Sequence, residues 1–150
     1  MMRSALLKAG TAMAFGIALM AAQPAFSADE HSVAEHKIVF QVSSGDEVTQ
    51  KLVLNNAVNI RKHYGPDNVD VVVVAYGPGL SILTKKSKEA DRVKSLASQG
   101  ITFDACNNTM KAIEKKTGKM PVLTDGVKIV PAGVARIVEL QEKGYTYIRP

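Results

Sequence analysis

From residue 37 onward, short apolar runs alternate with longer stretches whose apolar residues recur at helical spacing. Lys37-Ile38-Val39-Phe40-Gln41-Val42 is rich in β-branched residues and predicts a first strand, closed by the turn and cap cluster Ser43-Ser44-Gly45-Asp46. Residues 46–63 predict a helix, with Leu54, Ala57, Val58 and Arg61 on one side and Leu52, Asn55, Asn56, Asn59 and His63 on another. Tyr64-Gly65-Pro66-Asp67 ends it. The run from Val69 to Tyr76 holds four consecutive valines without polar alternation, so both of its faces are expected to be covered, as in an inner strand of a parallel sheet. It leads into Gly77-Pro78-Gly79, and Leu80 to Leu83 predicts a helical turn.

The second half repeats the alternation. Lys88 to Gln99 predicts a helix with Ala90, Val93, Leu96 and Ala97 on its apolar face and Gly100 just past its end. Ile101 to Cys106 predicts a third strand, and residues from about Asn108 to Lys116 a short helix with Met110 and Ile113 inward. After a loop over 119–126, Val127 to Val130 predicts a fourth strand. Pro131-Ala132 opens a last helix with Val134, Ile137, Val138 and Leu140 toward the core. Tyr145 to Ile148 predicts a final strand, with one tyrosine packed and the other partly exposed. Strand and helix alternation of this kind implies an α/β fold: an open, mainly parallel sheet of about five strands with helices on both faces. Ligands in such sheets bind beyond the carboxyl ends of the strands, where the strand order switches. The 77–79 loop and Cys106 both follow strands, so both are expected at that edge.

The first residues do not share this pattern. Arg3 and Lys8 precede an apolar stretch, Ala12 to Ala22, that is short for a membrane span, and Ala25-Phe26-Ser27 offers small residues for cleavage. Residues 1–27 are therefore expected to be a secretory signal peptide, the alternative being an uncleaved anchor, and residues 28–150 a single exported, periplasmic domain. Without Arg3 and Lys8 the basic count falls from 19 to 17 against 14 acidic residues, a net charge of +3. That is a solvated surface rather than a nucleic-acid groove, because the six aromatics of this part do not interleave with the lysines. No nucleic-acid partner and no membrane span after cleavage are expected.

Cys106 is the only cysteine, so it forms no internal bridge. It stands where a strand gives way to a helix start, where unpaired N–H groups and the helix dipole favour thiolate over thiol. It is read as a nucleophile or sulfur carrier, with a buried structural cysteine as the alternative. Asn107, Asn108 and Thr109 are candidate donors to a charged sulfur. Asn55 and Asn59 are candidate ligand amides, against a solvated face or a subunit interface. Gly77 and Gly79 frame a loop that can admit a ligand, though a tight strand exit explains it as well. His31, His36 and His63 form no metal-ligand spacing, and neither a metal nor a cofactor is expected.

The run Gly100-Ile101-Thr102-Phe103-Asp104-Ala105-Cys106-Asn107-Asn108-Thr109 resembles the DsrE/DsrF-like family. So do Leu54-Asn55-Asn56-Ala57-Val58-Asn59 before it, Val130-Pro131-Ala132-Gly133-Val134 after it, and the ending from Leu140 to Pro150. The resemblance spans essentially all of 28–150. It implies a three-layer α/β/α fold, assembly into homo-trimers or hexamers, and a link to sulfur metabolism in which a cysteine matching Cys106 relays persulfide sulfur to or from a partner protein. Lys111-Ala112-Ile113-Glu114 stands where an arginine-glycine pair often follows the relay cysteine. The function implied is periplasmic sulfur handling, of sulfurtransferase or sulfur-carrier type if enzymatic. A non-enzymatic oligomeric module for a small ligand or anion is the alternative.

Overall fold

The computed structural model describes residues 34–150, which form one compact unit. The expected signal peptide, residues 1–27, and His31 lie outside the described residues. Five parallel strands, β1 (His36–Val42), β2 (Val69–Ala75), β3 (Thr102–Cys106), β4 (Val127–Val130) and β5 (Thr146–Ile148), make one sheet in the order β4-β3-β2-β1-β5. Four helices connect them: α1 (Glu47–Tyr64), α2 (Ala90–Ser98), α3 (Asn107–Thr117) and α4 (Gly133–Glu142). A 3-10 helix at Gly77–Leu83 follows β2. The Asp46 carboxylate caps α1 by accepting the Thr49 N–H at 2.8 Å.

Strand order decides which face each helix covers. The chain steps from β1 through β2 and β3 to β4 in one direction, then returns past them to place β5 beside β1. Because parallel crossovers are right-handed, reversing the direction of travel moves the connecting helix to the other face. The two cores match this. Val53, Leu54 and Ala57 of α1, Val93 and Leu96 of α2 and Met110 of α3 pack with Phe40, Val71, Val73, Phe103 and Ala105. On the opposite face Ile137 and Leu140 of α4 pack over Val39, Val72 and Val74, with Tyr76 and Tyr145 partly buried against them. The valine run of β2 is thus buried on both sides, as its unbroken apolar sequence requires.

Two expectations for α4 need correction. Val134 and Val138 do not face the core; they are 59% and 49% exposed. One helix over one sheet face buries a narrow stripe, here Gly133, Ile137 and Leu140, and positions one residue to the side turn out to solvent. The helix expected over 88–99 is shorter, Ala90–Ser98, with residues 85–89 taken up in turns. Tyr145 is half-buried with its hydroxyl donating to Asp70, and Tyr147 is 38% exposed. Among the described residues no helix is long and apolar enough to cross a membrane.

Candidate functional site

Adjacent strands β3 and β4 are followed by helices that leave to opposite faces, α3 to one and α4 to the other. That divergence lies at the carboxyl edge of the strands, where open α/β sheets place their ligand sites. The last residue of β3 is Cys106, in register with Val130, the last residue of β4. Two helix N-termini therefore begin beside one sulfur. Cys106 is itself the N-cap of α3, in extended conformation, and is only 5% exposed.

Main-chain donors surround the thiol. Burial pushes its pKa up, but the Gly133 N–H at the start of α4, the Thr109 hydroxyl, and the N–H groups of Thr109 and Asn108 together outweigh burial, and the thiol sits below its ordinary value. The side chain closes no full capping hydrogen bond, so these donors act as nearby dipoles. The Asn108 N–H is shared with the carbonyl of Pro131 at 3.3 Å, which ties the start of α3 to the segment before α4. The Thr109 Oγ1 accepts the Gly77 N–H at 2.9 Å, leaving its own proton to donate.

Gly133 fits the site because it lacks a side chain. A Cβ there would lie 3.0 Å from Tyr76 Cδ1 and 3.3 Å from Cys106 Cβ. Any side chain at this position would crowd Tyr76 and Cys106, so glycine lets the backbone of α4 lie close to the sulfur without displacing them. Asp104, buried two residues before Cys106, accepts from Arg136 Nε at 2.9 Å and fastens the first turns of α4 to β3. Burial raises the Asp104 carboxyl against the pull of Arg136. Tyr76 completes the corner: burial pushes its phenol up, as do Tyr147 and Cys106 nearby, while Arg149 opposes the shift. The phenol is therefore a neutral donor at neutral pH.

The residues expected at the site divide into two groups. Cys106, Asn108, Thr109 and Gly77 come together, and Asn107 opens α3 half-buried beside them. Gly77 has a φ of +54°, which its lack of a side chain allows. Gly79 is placed differently: a Cβ there would meet the Val42 carbonyl oxygen at 2.2 Å, so it lets the 3-10 helix pack on the end of β1. Asn55 is exposed and accepts from Arg92 at 2.6 Å on the helical face. Asn59 lines a depression of about 630 Å³ with His36, His63 and Thr146, at the amino ends of β1 and β5 and so at the opposite edge from Cys106. Neither asparagine is among the groups that shift the Cys106 thiol. Among the described residues no three His, Cys, Asp or Glu side chains are grouped to hold a metal ion. Gly133, Asp104 and Tyr76 were missed as site residues. A glycine two positions after Pro131 is the only sequence signal that points to the first of them.

A family model described as the DsrE/DsrF-like family matches residues 36–150. The chain belongs to the DsrE/DsrF-like family. Among solved DsrE-like structures, a protein of unknown function, MTH1491 from Methanobacterium thermoautotrophicum, is 34% identical. That match covers 77% of this chain and 99% of the other, with a TM-score of 0.69. The ychN protein from E. coli, 15% identical, matches over 77% of this chain and 99% of its own with a TM-score of 0.61, a likeness of fold alone. No curated protein matches the sequence. The DsrE-like fold thus accounts for the five-stranded sheet and its helices.

Proposed function

We propose that this protein handles sulfane sulfur, carrying it as a persulfide on Cys106. The observation that carries the reading is the convergence of two helix N-termini, α3 and α4, on one cysteine whose pKa lies below the ordinary thiol value. Membership of a family associated with sulfur relay supports it. The thiolate attacks the outer sulfur of a persulfide donor. The donor's S–S bond breaks, a new S–S bond forms to Cys106, and the electron pair leaves on the donor thiolate. The exchange is redox-neutral and requires no cofactor. The same dipoles that stabilise the thiolate stabilise the persulfide anion.

Export of the domain by residues 1–27 and its place in the periplasm belong to this proposal, as does assembly into a homo-trimer or hexamer. Exposed apolar residues on α1 and α4, Val48, Leu52, Val134 and Val138, support assembly. The test is intact-mass measurement after incubation with a low-molecular-weight persulfide. The wild-type protein is expected to gain one sulfur atom and Cys106→Ser none. A wild-type protein that takes up no sulfur, or a Cys106→Ser variant that takes it up equally, overturns the proposal.

A further inference from the structure

Beside the sulfur, on the outer side of Thr109, lies a second feature that the relay does not use. A cleft of about 700 Å³ opens between the 3-10 helix, α3 and the 117–122 segment. Its size is that of a small-molecule site. Its walls are predominantly apolar, with Ile113, Met120, Pro121 and Val122 prominent, and Met120 and Val122 are 39% and 64% exposed. Three lysines, Lys86, Lys116 and Lys119, line it as well. No carboxylate does, and none of the three lysines has an ion-pair partner among the described residues. At one end the cleft reaches Gly77 and Thr109, the pair that supports Cys106.

An apolar trough bordered by unpaired cations of one sign has a defined complement. We propose that this cleft binds a small amphipathic anion, with an apolar body of alkyl or aryl type along Ile113, Met120 and Val122 and a carboxylate, sulfonate or similar head held by the lysines. The apolar body leaves water for the trough, and the head meets three lysines that form no ion pair among the described residues. A neutral apolar molecule satisfies only the wall, and a simple inorganic anion only the rim. Binding is independent of whether Cys106 carries sulfur, because the sulfur does not line the cleft.

The probe is decanesulfonate, titrated calorimetrically into the full domain, with decanol and inorganic sulfate as controls. The sulfonate is expected to bind about tenfold or more tightly than either control, and to weaken as salt is raised. The Lys86→Gln, Lys116→Gln, Lys119→Gln triple variant, altered only at exposed or rim positions, is expected to lose about tenfold in affinity while unfolding at the same denaturant concentration. Val122→Asp is expected to weaken binding, and Cys106→Ser to leave it unchanged. Equal affinity for decanol, an unchanged triple variant, or a loss confined to Cys106→Ser overturns the proposal. So does protection of residues 116–122 from hydrogen exchange that rises with protein concentration and excludes the probe, since a second copy of the chain is then the occupant.

Discussion

Thr109 serves the sulfur through a hydroxyl whose lone pair already accepts the Gly77 N–H. Thr109→Val keeps the shape, removes the donor to the sulfur, and strands the Gly77 N–H. The thiol pKa is expected to rise, read from the pH dependence of alkylation. Stability is expected to fall by about 1–3 kcal/mol in denaturant unfolding, the usual cost of a half-buried donor left unpaired. An unchanged pH profile removes Thr109 from the site. At this scale Cys106, Thr109 and Gly77 were legible, because each stands just after a strand and strand ends share an edge. Gly133 was not, because its contribution is a main-chain N–H brought from a distant part of the chain. Asn55 and Asn59 illustrate the converse. Helical periodicity says which residues share a side of α1, but not that Asn59 sits toward the amino edge of the sheet, away from Cys106.

α4 shows how an element can be found by its pattern and still be turned wrongly. Val134, Ile137, Val138 and Leu140 suit a wide apolar stripe, yet among the described residues α4 has no neighbouring helix on its sheet face, and it buries only Ile137 and Leu140 of the four. Ile137→Ala is expected to cost about 2–5 kcal/mol, and Val138→Ala, in the monomer, less than about 0.5 kcal/mol. Equal losses measured by chemical denaturation place both in the core and contradict the orientation. The orientation matters for chemistry, since the Asp104–Arg136 pair and the Ile137 contact together set where the Gly133 N–H lies. Of the residues read on the apolar or inward faces of α2 and α3, Val93, Leu96 and Met110 are buried, and Ala90, Ala97 and Ile113 are partly buried.

For the whole molecule, the unbroken valines of β2 and the strand–helix alternation made a parallel α/β sheet legible. The strand order did not follow from the sequence, because periodicity carries no information on which strand the chain returns to. That order is what creates the site. One reversal of direction, from β4 back to β5, places α4 on the face opposite α1, α2 and α3, so that two helices start beside the end of β3. The central claim is that this topology lowers the pKa of the Cys106 thiol. The sign is fixed: a thiol whose pKa is lowered on folding adds stability above the ordinary thiol range and loses it as pH falls through the folded value. The most direct measurement is the rate of iodoacetamide reaction with Cys106 in the folded protein as a function of pH. The account predicts a midpoint below that of the same thiol in the denaturant-unfolded chain. A midpoint at or above that value contradicts it.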